Sequence, residues 1–172
     1  MENTKPEFTI IRTIYASPKL VWRAWTEAKE LAEWLPSTPL ETISFDVREN
    51  GRYRYTMVNH DNGEEIITGG VFLEVVPFEK LVFTWGYPDA PIEESPVITL
   101  KLTEQGNHTE MNFHLQGFAG HPGDQYVYDG WADSLDMLVK KFAWIKNLEL
   151  PINWKLYVFY INHNPSMNLN FP

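Results

Sequence analysis

Three groups of residues in this 172-residue chain have the types that chemistry needs: the histidines, a short arginine run and a large supply of aromatics. Histidine exchanges protons near neutral pH and is the commonest metal ligand, so its spacing is informative. His60 and His108 sit beside expected turns, His121 lies within Gly120-His121-Pro122-Gly123, and His163 falls in the last ten residues. None has a partner at a metal-binding spacing. Glu110 and His114 share one face of an expected strand, but that face is opposite Met111 and Phe113 and is therefore the wet one. The spacing favours scattered surface histidines; turned inward, His114 would be the one credible general base. Arg52 and Arg54 could neutralise an acidic ligand, yet their alternation with tyrosines reads as an exposed strand face beside Glu74. No Gly-x-Ser-x-Gly elbow, phosphate loop or dinucleotide fingerprint occurs. Cysteine is absent, which excludes disulfides, a thiolate zinc site and a cysteine nucleophile together.

The aromatics remain: 7 Trp, 8 Tyr and 10 Phe, so that either the core is bulky or something is lined with them. The elements that would position them follow from periodicity. Alternation over 8–15 predicts a strand. Ser17-Pro18 marks a helix start, a capping hydroxyl before a proline at the first helical position. Val21, Trp22 and Trp25 give that helix an apolar stripe, Leu31 and Trp34 extend it into a second short helix, and Pro36 and Pro39 end it. Strands and turns then run from Leu40 to Gly117, with Asn50-Gly51 and Asn62-Gly63 as strong hairpin dipeptides. Tyr53, Tyr55 and Met57 share a face, as do Val71, Leu73 and Val75, then Leu81, Phe83, Trp85 and Tyr87. Ile98, Leu100 and Leu102 follow, and after a turn at Gln105-Gly106-Asn107 come Met111, Phe113 and Leu115. Gly69-Gly70 reads as a bulge or sheet bend. One apolar and one wet face predict an antiparallel sheet covered on one side. The cover is a helix over 124–146, with Trp131, Leu135, Leu138 and Phe142 on one stripe. Gly130 within it costs about 1 kcal/mol relative to Ala, suggesting either close approach of the sheet or room for a ligand. The fold class is α+β.

Lys plus Arg number 14 against 23 Asp plus Glu, a net charge of −9. That field repels phosphate backbones and anionic lipid heads, so nucleic acid and membrane surfaces are not expected partners. No run reaches about 18 apolar residues, and the first ten residues lack a secretory layout, giving the cytoplasm as the expected address. The length suits one domain over 1–147. The residues 148–172 differ in kind: from 149 onward they hold one acid, one base and five Asn, with the apolar run WKLYVFYI at 154–161. They read as an atypical C-terminal extension.

The run RTIYASPKLVWRAWTEAKELAEWL, then NGRYRY, GGVFLEVVPFEKLVFTW and DGWADSLDML, resembles the activator of heat-shock-protein-90 ATPase homologue family. That family belongs to the START-like (SRPBCC) helix-grip superfamily. Ala16, Val21, Trp22, Ala24, Trp25 and the pair Gly130-Trp131 carry the resemblance, which covers about 8–142. It implies a curved antiparallel sheet wrapped around a long C-terminal helix with a cavity between them. It implies no catalytic set, no cofactor and no metal. The expected ligand is therefore a small hydrophobic or aromatic molecule. Tyr53, Tyr55, Met57, Phe83, Trp85, Leu100 and Phe113 would meet it from the sheet, and Trp131, Leu135 and Leu138 from the helix. A cavity of roughly 300 Å³ left dry would cost about 7 kcal/mol at ~24 cal/mol per Å³. That is comparable with the whole stability of a domain, so such a space should hold water or an apolar guest. The alternatives are a co-chaperone-like module whose partner is a chaperone or another protein, and a cyclase- or aromatase-type enzyme using His114 or a pocket tyrosine. Monomer and homodimer are both open.

Overall fold

The two periodicities separate in space as elements on either side of one core. The computed structural model describes residues 6–59, 62–119 and 126–145; the expected extension 148–172 lies outside the described residues. Strand β1 (Glu7–Ile14) leads into helix α1 (Pro18–Thr26) and the short helix α2 (Ala28–Ala32). Pro18 occupies the first turn of α1, where its missing N–H is harmless. Ser17 does not cap as expected: its side chain makes no capping bond, and its carbonyl instead accepts from Leu20 and Val21 N–H at 3.0 and 3.1 Å. A 3-10 turn, Leu40–Thr42, then gives way to β2 (Ser44–Phe45), β3 (Arg52–Val58), β4 (Glu65–Val76) and β5 (Lys80–Thr84). After a second 3-10 turn, Ile92–Glu94, come β6 (Val97–Gln105), β7 (His108–Gln116) and the long helix α3 (Tyr126–Ile145).

The described strands form one antiparallel sheet in the order β1-β7-β6-β5-β4-β3-β2. Register aligns the apolar alternation across it: Phe72, Phe83, Ile98, Leu115 and Phe8 stand opposite one another in sequence across five strands. A second row runs Leu81, Leu100, Phe113, Ile10. Such rows bury apolar area on one face only, and α3 lies against it through Trp131, Leu135, Leu138 and Phe142, all in the core. This is the helix-grip arrangement. Helices α1 and α2 extend the cover with Val21, Trp22, Trp25 and Leu31.

Strand β4 departs from strict alternation. Its register shifts between Phe72 and Glu74, so Val71 and Phe72 are both buried while Leu73 is 37% exposed. The expected inward set Val71, Leu73 and Val75 is corrected accordingly. A bulge re-aims consecutive side chains and leaves a ladder group unpaired; here Val71 N–H donates to Thr84 Oγ1 at 2.9 Å. The irregularity lies just past Gly69-Gly70 rather than on it. Gly70 answers a different need, since a Cβ there would sit 2.1 Å from the Thr84 carbonyl oxygen.

Polar ties fix α3 against its neighbours. Arg12 Nε on β1 donates to Asp136 at 2.8 Å. Lys141, its side chain only 7% exposed, pairs with Glu30 at 2.9 Å and with Glu33. These bonds hold the middle and end of α3, leaving its first turns to border open space. No described helix is long and apolar enough to cross a membrane.

Candidate functional site

Two hollows lie where the sheet, α2 and the start of α3 converge. The inner one is small, about 20 Å³, between Trp25, Leu31 and Trp34 on the helical side and Tyr53, Phe72 and Phe83 on the sheet. That is room for about one water-sized molecule. The outer one is about 290 Å³ and reaches solvent. Tyr55 and Met57 on β3 and Trp85 just after β5 form its sheet wall; Leu35 and Pro36 form a second wall, and Tyr126, Val127, Gly130, Trp131 and Ser134 of α3 a third. Leu35, Tyr55 and Trp131 border both spaces and so partition them.

Of the ten residues expected at a ligand site, Tyr55, Met57, Trp85 and Trp131 line the outer hollow, and Tyr53 and Phe83 the inner one. Leu100, Phe113, Leu135 and Leu138 are fully buried and border neither space. Phe113 packs under Trp131, ring centroids 4.7 Å apart. The hollow thus sits at one end of the sheet–helix interface, with its middle filled. Sequence reasoning missed Leu35, Tyr126, Val127 and Ser134. The helical members fall at i, i+1 and i+8 along a stripe one step from Trp131 and Leu135, a shift that the core stripe alone does not specify. Gly130 has nothing within 4 Å of where a Cβ would stand; it gives room, not close approach.

Chemically the outer hollow is apolar with a few polar groups. Among the described residues no carboxylate, imidazole, ammonium or guanidinium lines it. Burial pushes the Tyr55 phenol up to about 12; the Trp85 and Thr68 side chains partly offset this, without giving Trp85 Nε1 a hydrogen bond of normal geometry. Burial also raises Tyr53, and the proximity of Tyr55 adds to it. Both phenols stay neutral at physiological pH, and Tyr53 donates to the Thr84 carbonyl at 2.7 Å. Three buried indole N–H groups, those of Trp25, Trp85 and Trp131, have no hydrogen-bond partner among the described residues. Trp34 is different, donating to the Ala24 carbonyl at 2.9 Å. A buried unsatisfied donor costs about 1–3 kcal/mol, so three in contiguous rings need a reason.

Of the five histidines, His60, His121 and His163 lie outside the described residues, and His114 stands on the far side of the sheet. Half-buried His114 contacts Thr9 Oγ1 through Nδ1 at 2.9 Å and lies 3.5 Å from the Glu7 carboxylate, on the face opposite Phe113. No group of three or more potential metal ligands gathers among the described residues. Arg52 and Arg54 are exposed, and Arg52 donates to the Pro88 carbonyl at 3.2 Å.

A sheet gripping one long helix, with a solvent-reaching apolar hollow at the helix start, defines a START-like protein. The family described as activator of Hsp90 ATPase homolog 1-like protein matches residues 15–143, and the chain belongs to it. Solved structures share the fold. Protein CV1439 from Chromobacterium violaceum is 24% identical with a TM-score of 0.66, covering 80% of this chain and 97% of its own. Protein SA2116 from Staphylococcus aureus, described as of unknown function, is 23% identical with a TM-score of 0.58, covering 95% and 98%. CalU16 from Micromonospora echinospora is 23% identical with a TM-score of 0.57, covering 77% and 73%. None of the curated proteins matches the chain.

Proposed function

We propose that this protein binds a small apolar or aromatic molecule in the outer hollow, without a dedicated catalytic set. The observation that carries this reading is the 290 Å³ space lined by aromatic and aliphatic side chains and open to solvent. Its size approaches the lower end of the range for ligand sites, roughly 300 Å³. Burying apolar surface is worth about 25 cal/mol per Å², so a two-ring guest covering its faces there gains several kcal/mol before ordering costs. The test is calorimetric titration of the purified chain with tetralin, naphthalene and 1-tetralone. Saturable 1:1 binding of at least one of them is expected; no binding of any up to its solubility limit overturns the reading.

A second reading draws on the family description, which names activation of a chaperone ATPase. In that case an outer surface of this chain engages the chaperone. Stimulation of the ATPase by purified chain would support it, and an unchanged rate would remove it.

A further inference from the structure

We propose that the two hollows are chambers of one site divided by the Leu35 side chain, which therefore sets how deep a slim, unbranched apolar arm of a guest can reach. The inference rests on the outer hollow being a binding site and specifies the shape that site takes. Leu35, Tyr55 and Trp131 border both spaces, and all three are buried. Two of them are fixed. The Tyr55 ring stacks on Tyr53, centroids 6.1 Å apart and planes inclined by 26°, and the Trp85 and Thr68 side chains engage its phenol. Trp131 packs among Trp25, Trp85 and Phe113, with centroids 6.2, 5.6 and 4.7 Å away. Leu35 has neither a polar tip nor a ring, so aliphatic packing alone selects its rotamer. Its backbone is held, because its N–H donates to the Leu31 carbonyl at 2.9 Å and Pro36 follows it. What can give at the divide is the leucine side chain.

The inner chamber suits an apolar tip. Leu31, Phe72, Leu81 and Phe83 line it, and the Tyr53 hydroxyl and Trp34 N–H there already donate to the Thr84 and Ala24 carbonyls. At about 20 Å³ it has room for a methyl-sized group and not for a ring. The other end of the guest faces water. Tyr126, 87% exposed, and half-buried Ser134 stand on the wall of the outer chamber, where a polar head keeps its hydration. Each methylene that leaves water along the way is worth about fourfold in affinity, until the tip meets a closed wall.

The test is calorimetric titration with unbranched primary alcohols from butanol to decanol. Affinity should rise about fourfold per added carbon and level off once the tip fills the inner chamber. Leu35→Ala, which removes an isopropyl group from the divide, should move the levelling length out by about two or three carbons. Leu35→Phe should bring it in. A merely structural role for Leu35 would lower the stability of both variants and leave that length unchanged. Should either variant fail to fold by circular dichroism, methyl resonances of the wild-type protein supply the decision. Met57 lines only the outer chamber, and Leu31 and Leu81 line only the inner one. The Met57 methyl should move with every alcohol that binds, the Leu31 and Leu81 methyls only with the longer ones. A levelling length unaltered by either substitution, or Leu31 and Leu81 methyls that no bound alcohol moves, overturns the divided site while leaving apolar binding standing. If a two-ring molecule binds and no alcohol does, the divided site alone falls; if neither kind binds, both readings fall.

Discussion

Lys141 is the residue whose surroundings make the sharpest demand on its charge state. Burial opposes the ammonium, but hydrogen bonds and attraction from Glu33 and Glu30 outweigh that, and its pKa rises above the ordinary 10.5. A cationic group with a raised folded pKa contributes stability fully below its unfolded pKa and loses it as pH climbs through the folded one. Replacing Lys141 by Met should therefore cost about 1–2 kcal/mol at pH 8. The gap to wild type in urea unfolding should close above the ordinary lysine value. A gap that is constant into strong alkali would contradict the pairing. Thr84 is the other residue with a defined load, since its hydroxyl serves the Val71 N–H and its carbonyl serves Tyr53. Thr84→Val keeps the shape but strands a buried donor, for an expected loss of about 1–3 kcal/mol in thermal or urea unfolding. Neither role is legible in the sequence: both depend on which atoms a register brings together. The same holds for the three unpartnered indoles: the sequence shows that tryptophans supply donors, but not which of them the fold leaves without an acceptor.

At the scale of elements, alternation and helical period located β1, β3, β5, β6, β7 and α3 because each presents one face to the core. Two departures have physical causes. The bulge in β4 inserts a residue that no alternation rule anticipates, and it places Phe72 rather than Leu73 inward. The Trp85–Tyr87 stretch continues the pattern of β5 in sequence, but β5 ends at Thr84 and Tyr87 is 67% exposed. Helix α3 carries a prediction of its own. Gly130 faces open space, so Gly130→Ala should raise stability by about 1 kcal/mol through helix propensity alone. That corresponds to about 2–4 °C in melting temperature for a chain of this size. Gly70→Ala, by contrast, forces a Cβ into the Thr84 carbonyl and should lower soluble yield or melting temperature sharply. If both alanines behaved alike, the local geometry would be wrong.

For the whole molecule, the hollow was foreseeable only through family resemblance. Periodicity says which side chains point inward, whereas a cavity is the difference between the space enclosed and the volume supplied, and no pattern of residue types encodes that difference. Hence the residues expected at the site divide into those beside the hollow and those in the filled middle. The neutral lining has a consequence for pH. With Tyr55 ionising only near 12 and no charged side chain in the described wall, binding of 1-tetralone should be flat from about pH 6 to 9. A calorimetric affinity that changes more than about threefold across that span would point to a titrating group at the site.

Trp25 and Trp131 stand nearly parallel, 6.2 Å apart and inclined by 22°, and Trp131 also meets Trp85, 5.6 Å away and inclined by 63°. Three chromophores so close do not absorb or emit independently; their excited states mix and pass energy along the row. Two of them also border the space a guest would enter, so the chain has a built-in optical reporter there. Its near-ultraviolet dichroism and emission lifetime should register an arriving occupant without any attached label.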